Sequence, residues 1–131
     1  MAETGISDYL ANGWLATLRN VPFVVPITCL KLHIGVPGVG GTTNPSVVTD
    51  LQAASFASPS AGVLNTTGSP PAWNMTAAES IKYVSAWDSY DTGTGNWLFN
   101  AALSSPQVVA NGDVFRLGGN IKLTITGLVT P

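Results

Sequence analysis

The chain has 131 residues with a formal net charge of −2, and 45% of them are hydrophobic but only 9% charged. One domain fits this length. Five cations standing singly (Arg19, Lys31, Lys82, Arg116, Lys122) against seven acids exclude a phosphate-neutralising stripe, so no nucleic-acid partner is expected.

An ordinary soluble domain is about 25% charged. Here Ser, Thr, Asn, Gly and Ala must cover most of the surface, and few charges need desolvating when two copies meet. Self-association is therefore expected. The lone Cys29 has no intrachain disulfide partner, and one His with one Cys makes a poor metal set. No cofactor is expected. No apolar run approaches 18 residues, so no membrane-spanning helix is expected. The opening MAETGISDYL lacks the basic start and apolar run of a signal peptide.

One helix is expected, over about 7–19. Leu10, Trp14 and Leu18 recur every four residues, and Ala11 and Leu15 widen their stripe. Ser7 is placed to cap it. Asp8 and Arg19 sit at the ends of the macrodipole that favour them. Gly13 costs about 1 kcal/mol against Ala, so the helix needs packing to hold. Pro22 stops it.

Everything after Pro22 reads as β. In 27–34, Leu30, Leu32 and Ile34 alternate with Cys29, Lys31 and His33. Residues 35–45, GVPGVGGTTNP, form a loop. Short strands are expected at Val47–Thr49, Ala53–Phe56 and Ala72–Met75, with turns at 57–62 and 65–71. The run 80–87 places Ile81, Tyr83 and Trp87 on one side and Val84 and Ala86 on the other; 96–103 is its partner. Residues 107–109, the turn Asn111-Gly112-Asp113, Val114–Leu117 and 120–126 complete the chain. This pattern predicts one mainly β domain over 1–131, an antiparallel β-sandwich with a short N-terminal helix. Its core should hold Leu30, Leu32, Ile81, Trp87, Trp97, Leu98, Ile121, Leu123 and Ile125.

Asp91-Thr92-Gly93 is the sharpest enzymatic signal. Aspartic proteases use such a loop, with two carboxylates sharing one proton in a sheltered site. Here the tripeptide lies in a stretch polar on both sides, 88–96, and Asp and Gly are also ordinary hairpin-turn residues. Asp91 is therefore expected to shape a hairpin tip, and no catalytic residue is expected. His33 reads as a half-exposed strand residue beside a buried Cys29, since no nucleophile pattern accompanies it. The glycines of 35–41 lack the Lys-Ser/Thr of a phosphate loop. Of the four tryptophans, Trp87 and Trp97 read as cross-strand packing. Trp73, set among prolines, is an interface candidate together with Val36, Pro37 and Val39 of the loop.

Four stretches carry a resemblance over most of the chain: 10-LANGWLATLRNVPF-23, 30-LKLHIGVPGVGGT-42, 73-WNMTAAESIKYVSAWDSYDTGTGNWLFNAAL-103 and 106-PQVVANGDVFRLGGNIKLTIT-126. The chain resembles a family of small tailed-bacteriophage virion proteins that are tail-fibre-like. Many relatives carry an acidic residue before the Pro-Gly of the loop, where this chain has Val36, so no role for that charge is carried over. The resemblance implies a non-enzymatic structural subunit on the virion surface, either a capsid decoration protein or a minor tail component. It implies phage capsid or tail proteins as partners, and analogy with phage surface proteins implies a homo-oligomer, a trimer. The alternative is a module of the tail that binds a host-surface glycan or receptor through Trp73 or the hairpin tip. No heptad or β-helix repeat of a long fibre is present.

Overall fold

The computed structural model describes residues 5–117 and, for the backbone alone, 122–124. The chain is mainly β with one short N-terminal helix, as its periodicities require. The strands are β1 (Gly5–Ile6), β2 (Thr28–His33), β3 (Gln52–Phe56), β4 (Val63–Thr67), β5 (Ala72–Asn74), β6 (Glu79–Trp87), β7 (Trp97–Val109), β8 (Val114–Arg116) and β9 (Lys122–Thr124). Seven of them make one curled antiparallel sheet in the order β1-β7-β6-β2-β3-β4-β9, and β5 and β8 form a separate two-stranded ribbon. Apolar residues of both sheets join one core.

Helix α1 covers Asp8–Ala16 and tightens into a 3-10 turn, Thr17–Arg19. Ser7 caps it as expected, its Oγ accepting from the Leu10 amide at 3.1 Å. Gly13 has a packing reason. A Cβ there would fall inside the Phe23 ring, so the missing side chain lets the returning chain lie against the helix. Tyr9 meets the same ring edge-on, with centroids 5.5 Å apart. The expected apolar stripe is only partly used: Leu10 is buried, whereas Leu15 and Leu18 are exposed.

Strand β6 pairs β2 through Cys29↔Trp87, Leu30↔Ala86, Lys31↔Ser85, Leu32↔Val84 and His33↔Tyr83. It pairs β7 with a register shift between Ile81 and Tyr83. A bulge re-aims every side chain beyond it. Ile81 consequently shares the core with Val84 and Ala86, which corrects the expected grouping with Tyr83 and Trp87. Leu30, Leu32, Ile81, Trp87 and Leu98 are buried as expected, and Trp97 is half-buried. Ile121, Ile125 and the side chain of Leu123 lie outside the described residues.

Two strand expectations change. Val47–Thr49 is not a strand. Glu79 occupies this segment instead: Ser46 Oγ donates to its Oε2 (2.6 Å) and the Val47 amide to its Oε1 (2.7 Å). Those bonds satisfy the backbone locally and seat Val48 in the core. Conversely, β4 (Val63–Thr67) takes in 65–67 of the expected turn. Pairing with β3 at Ser55↔Thr67 and with β9 at Leu64↔Leu123 overrides the turn-like Asn-Thr-Thr.

Candidate functional site

The sheet has two faces in its centre. Leu30, Leu32, Val84, Ala86 and Phe99 point into the core. Cys29, His33, Ser85, Trp87 and Asn100 take the opposite phase, and this second face is also buried. Loop 35–45 lies over it. The loop leaves β2 at His33 and returns so that Pro45 bridges back to the same residue.

Side chains of the sheet hold the loop in place. His33 Nδ1 lies 2.8 Å from the Thr43 carbonyl, which can only accept, so Nδ1 carries the hydrogen. Nε2 of the neutral ring then accepts from the Ser85 hydroxyl at 2.7 Å. Ser85 Oγ in turn accepts from Trp87 Nε1 at 2.9 Å. Asn100 is the second anchor: its Nδ2 donates to the Gly38 carbonyl (2.8 Å), and its Oδ1 accepts from Trp97 Nε1 (2.9 Å). Within the loop, Asn44 Nδ2 donates to the Val36 carbonyl at 3.1 Å and the Thr43 amide to that of Pro37 at 2.9 Å. Gly41, at φ +66°, sits under the Trp97 indole, where a Cβ would collide with the ring. The loop is a tied platform, and its tip residue Val39 is 83% exposed.

His33 therefore departs from expectation. It is fully buried, not half-exposed. Burial, the largest effect, pushes its pKa below the ordinary value of 6.5, and the Lys31 charge adds to this against the opposing bond to Thr43. Ser85 beside His33 has the contacts of a nucleophile and its base, but the hydroxyl is sealed under the loop with no exposed surface. Its geometric product is a clamp on the loop. Cys29 is buried as expected, and burial, followed by the Asp88 charge, raises its thiol pKa.

The interface candidates separate. Trp73 is only 1% exposed. It stands opposite Phe115 in the ribbon, and its Nε1 donates to the Asp50 carbonyl at 2.9 Å. It is a core residue, which corrects its placement at a surface. Pro37 is also buried, and Val36 is half-buried. Val39 alone of the four is openly exposed.

Asp91 is an exposed residue of the tip between β6 and β7. Its Oδ1 accepts from the Gly93 amide at 2.8 Å, and its carbonyl accepts from the Gly95 amide at 2.8 Å. Asp88 closes the base of the tip: Oδ1 takes the Asn96 amide (2.6 Å) and Oδ2 the Asn96 side chain (3.0 Å). Both carboxylates thus shape the turn. Among the described residues no cluster of His, Cys, Asp or Glu could hold a metal ion.

Sequence reasoning did not single out Ser85 or Asn100. Pairing of His33 with Tyr83 makes Ser85 its diagonal neighbour on the same face, a relation visible only once register is known. Asn100 meets Gly38 across 62 positions of sequence.

This arrangement is built for rigidity, with its polar groups spent on fastening the chain to itself. The model of a protein family described as podophage GP4 fiber I protein gp80 matches residues 5–125, helix, loop, hairpin and ribbon together. The chain belongs to the podophage fiber I family. It is accordingly a bacteriophage structural protein of the tail-fibre kind and a component of the virion. No curated protein matches it.

Proposed function

We propose that this fiber I family member is a compact, non-enzymatic subunit of the tail, docked on a larger virion protein and associated with further copies of itself. The observation that carries the reading is the family match from residue 5 to residue 125, which spans every element of the fold. Two features support it. The groups with catalytic chemistry are either sealed inside, as His33 and Ser85 are, or used to close a turn, as Asp88 and Asp91 are. The low charge leaves contacts cheap to form. A capsid decoration subunit would share these features, and the fibre description favours the tail.

The experiment is a particle reconstruction with mass spectrometry of purified virions. Density for this chain is expected on the tail. Density on the capsid lattice would make it a decoration protein, and absence from purified particles would end the virion reading.

A second reading, receptor or glycan binding, is favoured by one observation. Tyr90 stands 61% exposed on the tied 88–96 tip. A glycan array comparing the protein with its Tyr90→Ala variant tests it: binding lost in the variant supports recognition by the tip. The trimer implied by analogy is tested by the same particle reconstruction, which counts the copies in each assembly.

A further inference from the structure

Among the described residues, more than half of the exposed large apolar side chains fall in the first quarter of the chain. Trp14 is 38%, Leu15 61% and Leu18 83% exposed, and Ile6, Val21 and Val24 are exposed as well. Ala11, Trp14, Leu15 and Leu18 are three or four positions apart, so they share one side of α1 and its 3-10 extension. Leu10 carries that stripe into the core, and the rest of it faces outward. Nine residues with a central glycine are too few for an independently stable helix in water. The outward stripe thus has the composition of a packed face, and among the described residues nothing packs on it.

The charges beside the stripe suggest what covers it. Asp8 lies at one end of the segment and Arg19 at the other, both exposed. Neither makes an ion pair with another described residue. When two such segments pack antiparallel about a two-fold axis, Asp8 of each copy meets Arg19 of the other, and the helix dipoles oppose favourably. A parallel arrangement would gather like charges at each end. On the stripe itself Leu15 and Leu18 are 61% and 83% exposed with Trp14 beside them, and clustered exposed apolar side chains of this kind mark an interaction surface.

We infer that the outer face of residues 8–19 is an isologous interface, and that its occupant is the same face of a second copy, running antiparallel. The inference rests on the proposed self-association and names the surface and symmetry that produce it.

Light scattering on the purified full chain, coupled to size exclusion, tests it without reference to the particle. A mass of two chains at micromolar concentration is expected. Leu15→Glu with Leu18→Glu should give a monomer with an unchanged far-ultraviolet spectrum. Should that variant misfold, Leu15→Ala with Leu18→Ala removes mostly exposed atoms and should weaken the dimer at least tenfold. Asp8→Asn and Arg19→Gln should each weaken it about two- to fivefold, and the double variant no more than the worse single one. A monomer at the highest concentration, or a trimer, overturns the two-fold pairing. A dimer untouched by the leucine variants leaves self-association standing and overturns this surface. Additive effects of the charge variants overturn the antiparallel orientation. None of these outcomes bears on whether the chain is found in virions.

Discussion

In the native chain His33 keeps its proton on Nδ1 and offers Nε2 to the Ser85 hydroxyl. A second proton would turn Nε2 into a donor facing Ser85 Oγ, which already accepts from Trp87, and the hydroxyl hydrogen would need a new acceptor. Burial opposes the charge as well, so the folded pKa lies below the unfolded one. Below the ordinary His value, the unfolded chain therefore binds more protons than the folded one. Stability is complete above pH 6.5 and is lost as pH falls from there toward the folded value. The chain has no other His, so the effect is separable. A urea midpoint measured from pH 7.5 to 5 should fall across that window, and His33→Gln should be less stable throughout and lack the His-dependent slope. Two other residues show how far local sequence reaches. Ser7 caps the helix as its position before Asp8 predicted, because a cap is a contact over three residues. Trp73 lies in the core and not at a surface, because proline-rich surroundings describe the chain near it and not the Phe115 that packs beside it, tilted, from 42 positions away.

Among the elements, the loop 35–45 shows what glycine is for in this chain. Gly41 takes φ +66° beneath Trp97, with Ser85 beyond it. Gly41→Ala should cost about 1–3 kcal/mol, from both the left-handed backbone and displacement of the indole. A shift in the chemical-denaturation midpoint measures it, and the Trp97 emission spectrum should change in the native state. A midpoint like that of the native sequence would mean that the loop floats free of the sheet. From its sequence this loop is expected to offer Val36, Pro37 and Val39 to an interface. The structure instead ties it through His33 and Asn100, and leaves Val39 as its open point. Helix α1 was legible almost to the residue, since its cap, its period of near 3.6 and its proline stop are all local. What the period could not reveal was direction: an apolar stripe says that one side seeks cover and is silent on whether the cover belongs to the same chain. Strand β6 failed in a different way. Strict alternation does not survive the register shift between Ile81 and Tyr83, where β7 carries three more residues than β6, and Ile81 joins the core face of Val84.

For the whole molecule, the core joins the curled sheet to the ribbon, and Leu32 lies fully buried at its centre, opposite Val84. Leu32→Ala should cost about 2–5 kcal/mol, the range for a site that cannot collapse around the lost atoms. Calorimetry or urea denaturation reads it, and a loss well under 1 kcal/mol would place Leu32 on a yielding surface. The same chain that is rigid inside presents little charge outside, which suits a part that must be held by its neighbours on a particle. Its stability in isolation and its stability in an assembly then differ, because whatever binds only the folded form adds to the first.

Composition and period alone determined that the chain is mainly β with one short capped helix near its N-terminal end. These follow from contacts within a few residues and from alternation, both of which a sequence displays directly. Tertiary structure alone decided that both faces of the central strands are covered, that His33 and Ser85 form a sealed pair, that Trp73 belongs to the core, and that Leu15 and Leu18 do not. Each of these depends on which distant segment comes to lie against a residue. That choice is made by register, bulge and loop path, and the free energy that selects among them belongs to the whole packed chain and to no window of it.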